Sequence, residues 1–296
     1  MNLPSDGGYD WRRGIELPSS PGVPSSTVLV TLPVYNEASI LERSVDSLIR
    51  ALGAAQINFT LLLAEDGSTD GSQDCIQRIV ERYPAILVQS APERHGRGWA
   101  LSTAWSRVDA DVYAFSDTDF AADPECLVEG IRLALQGCDV VTGSRYVPGA
   151  RVVRPPLRHV VSRAYNQLVR FLFQDDVQDH QCGLKIFSRT AVRRLLPLSH
   201  EDSWFWDTEM LVLANDANLR VAEFPVAWVE RKVTRTEFAR LLSDFYLHGT
   251  GILRLAGHRP SRPSRATDWV PAISLRVRPH SGPTPVVDAA ETAKTG

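Results

Sequence analysis

Five short apolar runs, most of them followed by a stretch of helical periodicity, constrain this chain more than any other feature. Val28-Leu29-Val30-Thr31-Leu32-Pro33-Val34, Phe59-Thr60-Leu61-Leu62-Leu63-Ala64, Ile86-Leu87-Val88, Val112-Tyr113-Ala114-Phe115 and Asp139-Val140-Val141-Thr142-Gly143 are nearly continuous in apolar character, as strands covered on both faces should be. Tyr35-Asn36-Glu37 is expected to open a helix with Ile40, Leu41, Val45, Leu48, Ile49 and Leu52 on the helical period, ended by Gly53. Further helices are expected from Cys75 to Arg82, from Trp99 to about Arg107, and from Pro124 to about Gln136. This alternation implies βαβ units with right-handed crossovers, hence a Rossmann-like α/β domain around a mostly parallel sheet. Such a fold does not by itself fix a function.

The chemistry begins where the fourth run ends. In Phe115-Ser116-Asp117-Thr118-Asp119-Phe120 two carboxylates one residue apart leave a strand at its carboxyl end, where open parallel sheets place their ligands. Alternation along the chain aims Asp117 and Asp119 the same way. Two such oxygens suit a hard divalent cation that takes its other ligands from water and a diphosphate. Taken alone, the pair equally suits a solvated turn.

A chain of 296 residues, 44% hydrophobic and 23% charged, can bury one large core. We expect a flexible lead-in over 1–26, a main domain over 27–233, an amphipathic helix within 234–258 and a disordered tail over 259–296. The formal net charge of -3 gives no overall basic field for nucleic acid, so none is expected as a partner. The positive charge is local: between Arg231 and Arg265 eight basic residues face only Glu237 and Asp244. Two stretches combine arginines with large apolar residues. One holds Arg151, Arg154, Arg158, Arg163 and Arg170 with Val160, Leu168, Phe171 and Leu172; the other runs from Thr236 to Leu255. Each is expected to lie on a membrane surface or, as an ordinary amphipathic helix, on the core. No run reaches the ~18 apolar residues of a membrane span, and the start lacks the pattern of a signal peptide. Cys75, Cys126, Cys138 and Cys182 show no metal-ligand spacing and are read as buried reduced thiols. The expected location is therefore cytoplasmic and peripherally membrane-associated, and the oligomeric state, a homo-oligomer included, stays open.

Taken in order, Pro33-Val34-Tyr35-Asn36-Glu37, Asp66-Gly67-Ser68-Thr69-Asp70-Gly71, Gly96-Arg97-Gly98-Trp99-Ala100, Asp117-Thr118-Asp119 and Gly143-Ser144-Arg145-Tyr146 strongly resemble the inverting GT-A glycosyltransferases of family two. Asp179-His180-Gln181-Cys182-Gly183-Leu184-Lys185, Trp206-Asp207-Thr208-Glu209 and Pro225-Val226-Ala227-Trp228 are similar to the polyprenyl and dolichyl-phosphate glucosyltransferase and mannosyltransferase group. The resemblance covers roughly residues 27 to 230. It implies a GT-A fold, a UDP- or GDP-hexose donor, a polyprenyl phosphate acceptor and Mg2+ or Mn2+ held by Asp117 and Asp119.

By the same resemblance Pro33, Tyr35, Glu37, Asp66 and Arg97 line the nucleotide, with Glu37 on ribose hydroxyls and Asp66 on a base N–H. Glu37 also suits a first-turn acid favoured by the helix dipole, and Asp66 a turn residue. Asp179 is the carboxylate near the acceptor, as a weak base or an orienting group, with Gln181 beside it. Arg145 and Lys185 are cations for diphosphate or lipid phosphate, and Asp207 and Glu209 complete the substrate-binding set. Four departures from the family's usual pattern stand out: Glu65 for Asp, Arg97 for Lys, Ala121-Ala122 for a polar residue, and Leu184 for Phe. Two rival readings are a family-two enzyme with a soluble hydroxyl acceptor and a non-catalytic nucleotide-sugar or lipid-binding module. A hydroxyl acceptor needs a real base, so Asp179→Asn is expected to cripple that enzyme and to spare one that uses an ionised phosphate.

Overall fold

The computed structural model describes residues 27–230 and 249–257. The expected lead-in, the tail and most of the second amphipathic stretch therefore lie outside the described residues. Seven strands form one sheet: β1 (Val28–Val34), β2 (Phe59–Asp66), β3 (Leu87–Ala91), β4 (Val112–Ser116), β5 (Val140–Ser144), β7 (Leu184–Ser188) and β8 (Val221–Pro225), in the spatial order β3-β2-β1-β4-β7-β5-β8. All neighbours pair parallel except β7, which runs antiparallel between β4 and β5. The five expected strands are all present, with β2 and β3 running past their apolar runs to Asp66 and Ala91. β7 was hidden in the sequence because Lys185 interrupts its apolar character. A separate parallel ribbon joins β6 (Arg151–Val153) to β9 (Ala227–Val229).

Alternate residues of β1 enter two different cores. Val28, Val30 and Leu32 pack under α1 (Leu41–Ala54), α2 (Ser72–Arg82) and α4 (Pro124–Leu135). Leu29 faces α3 (Arg97–Arg107), α6 (Arg189–Leu195) and α7 (Trp206–Asp216). Helices on both faces explain why the strands read as continuous apolar runs rather than alternating ones.

The first helix corrects the sequence reading, since α1 starts at Leu41 and not at Tyr35. Asn36 takes φ +56°, its Oδ1 accepts from Thr69 N at 2.8 Å, and its own N–H donates to Ser68 Oγ at 3.0 Å. Glu37 N donates to Ser72 Oγ at 2.9 Å, and Ala38 N to Asp70 at 3.0 Å. These side-chain bonds give residues 35–38 a better alternative to a helical turn and clasp the loops after β1 and β2 together. By contrast α4 starts where Pro124 predicts, capped by Asp123, whose carboxylate accepts from Glu125 N at 2.9 Å.

The arginine-rich stretch forms α5 (Pro156–Phe173), with Arg151 and Arg154 before its start. It carries apolar side chains on both its faces. The buried face carries Ser162 and Asn166 with Val169 and Phe173, whereas Leu157, Val160, Leu168, Phe171 and Leu172 point outward, Phe171 at 80% exposure. Residues 249–257 are helical and join Val169, Phe173, Phe205 and Val212 in a third apolar cluster through Ile252 and Leu255.

Candidate functional site

Parallel pairing sets the carboxyl ends of β1, β2 and β4 side by side, and the loops leaving them build one end of the site. Asp117 and Asp119 are half-buried there, while Thr118 between them is buried and donates from Oγ1 to Pro33 O at 2.7 Å. Strand alternation does not extend to this stretch: β4 ends at Ser116, and Phe120 N donates to Asp117 O at 3.1 Å, so residues 117–120 form a turn with Thr118 buried between two half-buried acids. Among the described residues no group of three or more His, Cys, Asp or Glu could hold a metal ion. Two protein carboxylates fit a hard cation that draws its other ligands from a diphosphate and water. Asp117 is held by the motif that follows Asp179. Its N–H donates to Gly183 O at 2.8 Å, and a Cβ on residue 183 would stand 1.8 Å from Asp117 Oδ2, so only glycine leaves the carboxylate room.

Tyr35 lies beneath the Arg94 guanidinium, 4.1 Å from ring centroid to Cζ. Glu37 is half-buried, and its carbonyl accepts from Ile40 and Leu41. Asp66 is buried and accepts from His95 N and Gly96 N, one on each oxygen, both at 2.8 Å. Asp66 therefore anchors the loop that leads through Gly96 into α3, a role that neither sequence reading named.

Arg97 reaches across the site. Nη1 donates to Asp117 Oδ1 at 2.6 Å, Nη2 donates to Asp207, and the guanidinium lies 4.0 Å from the Trp204 ring centroid. Behind Asp207, Lys185 Nζ is 3.8 Å away and donates to Cys182 O at 2.6 Å. Lys185, Asp207, Arg97 and Asp117 thus form a line of alternating charge running from the core to the edge of the site. Burial pushes the Asp207 carboxyl up, and the Arg97 and Lys185 charges only partly offset it. Lys185 is fully buried, so the structure does not bring it to a diphosphate as the resemblance implied; it acts through Asp207. Glu209 has a similar internal task, accepting from Ser199 Oγ, His200 N and Glu201 N to hold that loop on α7.

At the other end of the sheet, Asp179 is wholly buried and receives three bonds from Arg145: N at 2.9 Å, Nε at 2.7 Å and Nη2 at 2.7 Å. Burial alone would raise this carboxyl, but the Arg145 charge and hydrogen bonds outweigh it and hold it below the usual range. Gln181 donates its N–H to Asp179 at 3.3 Å and accepts from Ser162 Oγ on α5 at 3.1 Å. The Asp179→Asn test expected from sequence therefore cannot separate the acceptors. Any change there leaves a buried arginine uncompensated, whatever the chemistry.

Beside this pair lies a cluster the motifs did not reveal. Arg154 and Arg158 converge on Glu230, Arg154 Nε at 3.2 Å from its Oε2. Arg145 and Arg163 flank the Tyr146 ring at 5.7 Å and 5.5 Å. Arg154 Nη1 is buried with no hydrogen-bond partner, and burial together with the Arg145 charge makes this guanidinium harder to keep protonated. The signal was present in the sequence as regularly spaced arginines, but their convergence depends on β6 and α5 meeting at Pro155. Glu223 was also missed. It accepts from Gln178 N at 2.8 Å and Asp179 N at 3.0 Å, and burial pushes its carboxyl up to about 7. An acid inside the apolar run Val221-Ala222-Glu223-Phe224 was the available clue.

Seven mostly parallel strands between two layers of helices, with acids gathered at the ends of β1, β2 and β4, define a GT-A glycosyltransferase fold. The chain matches Glycosyl transferase family 2 over residues 29–196, and it belongs to that family. It is 40% identical over 230 residues to glycosyltransferase AglD of Haloferax volcanii, covering 77% of this chain and 36% of AglD. It is 28% identical over 211 residues to a dolichyl-phosphate beta-glucosyltransferase of Trichomonas vaginalis, covering 67% of this chain and 63% of that protein. The chain thus spans less than two thirds of the length of either relative. Glucosyl-3-phosphoglycerate synthase from Mycobacterium tuberculosis, solved with Mn2+, UDP and glucosyl-3-phosphoglycerate, shares the fold at TM-score 0.59 and 19% identity over 80% of this chain and 82% of its own.

Proposed function

We propose that the protein moves a hexose from UDP- or GDP-sugar to a polyprenyl phosphate, with inversion, at the cytosolic face of a membrane to which it binds peripherally. The observation that carries this reading is the state of Asp179. Its oxygens take three bonds from Arg145, and its carboxyl is held below the usual range, so it is a poor proton acceptor. A sugar hydroxyl would need a base, whereas a phosphate monoester is already ionised near neutral pH.

In the transfer, a phosphate oxygen of the lipid forms a bond to the anomeric carbon as the bond from that carbon to the diphosphate breaks, and the electron pair leaves with the nucleoside diphosphate. Asp117 and Asp119 would hold Mg2+ or Mn2+, which when bound neutralises charge on the diphosphate. Tyr35, Glu37 and the loop anchored by Asp66 would receive the nucleotide. Arg97, fixed by Asp207 and Trp204, stands where a second cation can meet the leaving group. Arg163, beside Tyr146, and Arg154 would receive the lipid phosphate, with Arg154 Nη1 as a donor already in place.

Outward-facing Leu157, Val160, Leu168, Phe171 and Leu172, with Arg163 and Arg170 exposed beside them on α5, would enter the lipid interface. Among the described residues no helix is long and apolar enough to cross a membrane, and the amphipathic face requires none. The test offers purified protein a panel of UDP- and GDP-sugars with Mn2+ and a short polyprenyl phosphate. Acid-labile lipid-linked sugar is the expected product. Transfer only to hydroxyl acceptors would establish the soluble-acceptor enzyme instead, and binding of the donor without transfer or hydrolysis would establish a non-catalytic module.

A further inference from the structure

The helix at 249–257 lies far along the chain from every motif, yet it packs on the loop that holds Arg97. Gly251 rests against Phe205 so closely that a Cβ there would come within 2.3 Å of the ring. Arg254 Nη1 lies 3.2 Å from Glu201 Oε1, and the Glu201 side chain is only 4% exposed. Ile252 and Leu255 complete the packing against Phe205 and Val212. The loop beneath has little regular structure of its own between Leu198 and Trp206, so tertiary contacts decide where it sits.

That loop touches the donor side at successive points. Asp202 O accepts from Trp99 N at 3.0 Å and lies where a Cβ on Gly96 would meet it at 2.3 Å. Trp204 covers the Arg97 guanidinium at 4.0 Å, and Asp207, at the start of α7, binds its Nη2. Glu209 ties the loop to α7 from one side, and Arg254 ties it to the 249–257 helix from the other.

We infer that Arg254, with Gly251, is a positioning residue of the donor site: it holds residues 201–206 so that Trp204 stays on Arg97 and Arg97 stays aimed at Asp117. This inference rests on the reading of that end of the site as the place of the diphosphate. Burial pushes the Glu201 carboxyl up and Arg254 opposes this, so losing Arg254 removes the ion pair that ties Glu201 and its loop to the 249–257 helix.

The experiment compares the full chain with Arg254→Ala, Arg254→Lys, Gly251→Ala and, as a control on the exposed side of the same helix, Leu253→Ser. The first readout is backbone hydrogen exchange over 199–207. The second is transfer kinetics with acceptor presented in detergent. Arg254→Ala, which removes a half-exposed ion pair, and Gly251→Ala, which drives a methyl group into Phe205, should each speed exchange in that segment about fivefold. They should raise KM for the nucleotide sugar by a similar factor, with kcat and the acceptor KM changed less than twofold. Arg254→Lys should recover most of the loss, and Leu253→Ser should resemble the parent. Unchanged exchange over 199–207 overturns the inference, as does faster exchange spread evenly over the chain. Faster local exchange with an unmoved donor KM also overturns it, because the helix would then support the loop without positioning the site. If the parent chain transfers no sugar, the functional reading fails, and exchange alone still upholds or overturns the tie between Arg254 and the loop.

Discussion

Asp119 ends one motif and Asp179 opens another, each carries one carboxylate, and the fold treats them in opposite ways. Asp119 stays half-buried just past the end of β4, where its Oδ1 accepts from Ala121 N at 3.1 Å. Asp179 is sealed under Arg145 and receives further order from Glu223, which binds its N–H. The same contrast divides the whole site. At the β1–β4 end, Asp117 and Asp119 stay half-buried; at the β5–β8 end, Asp179 and Arg145 are buried against one another. An acid in a motif is thus a chemical group in one region and a structural one in the other, and the surroundings decide which.

The largest effect expected from this contrast is on stability at the sealed end. Asp179→Asn should cost about 3–5 kcal/mol in urea unfolding, because it leaves Arg145 buried without its counter-charge. A loss below about 1 kcal/mol would erase the division between the two regions. Next, Glu223 gives that end a distinctive pH response. With its carboxyl raised from 4.5 to about 7, the stability it contributes is full below about pH 4.5 and is lost as the pH rises through 7, a fall of about 3 kcal/mol. Asp179 runs the other way: its contribution is present above its usual value of 3.8 and is lost only at lower pH, so it stays constant across that window. Glu223→Gln, which cannot ionise, should flatten the curve between pH 4.5 and 7 and gain on the parent as the pH rises; an unchanged slope would show that Glu223 does not set this pH response.

At the open end activity, not stability, carries the larger effect. Asp119→Ala should lower transfer about a hundredfold, ~2.7 kcal/mol in activation free energy, while leaving unfolding within ~1 kcal/mol of the parent. Full activity in that variant would deny the carboxylate its proposed cation. The smallest effect sharpens the picture from outside the site. Phe171→Ser, at a side chain 80% exposed, should shift stability by no more than ~0.5 kcal/mol. Its partition onto anionic vesicles should nevertheless fall about tenfold, since the interface would bury that ring. Equal partition would return the outer face of α5 to ordinary surface.

The strands and the acids at their ends were legible in the sequence because both follow from local order. Continuous apolar runs report burial on two faces, and an acid just past such a run has to leave the sheet where it ends. The start of α1 was not legible, since Asn36 exchanges its helical bonds for partners 32 and 33 residues away. β7 was hidden for a related reason: Lys185 looks like a surface charge until Asp207 and the Cys182 carbonyl supply its buried partners.

By itself, then, the sequence determined an α/β sheet, its five parallel strands and the location of Asp117 and Asp119. Only the tertiary structure decided which charges remain available, because that depends on residues distant in the chain. Arg145 closes over Asp179 from 34 positions away, and Arg97 meets Asp207 across 110. Local periodicity records which side chains avoid water, but the pairing of buried charges is set by the folded distance between them, and no short stretch of sequence carries that distance.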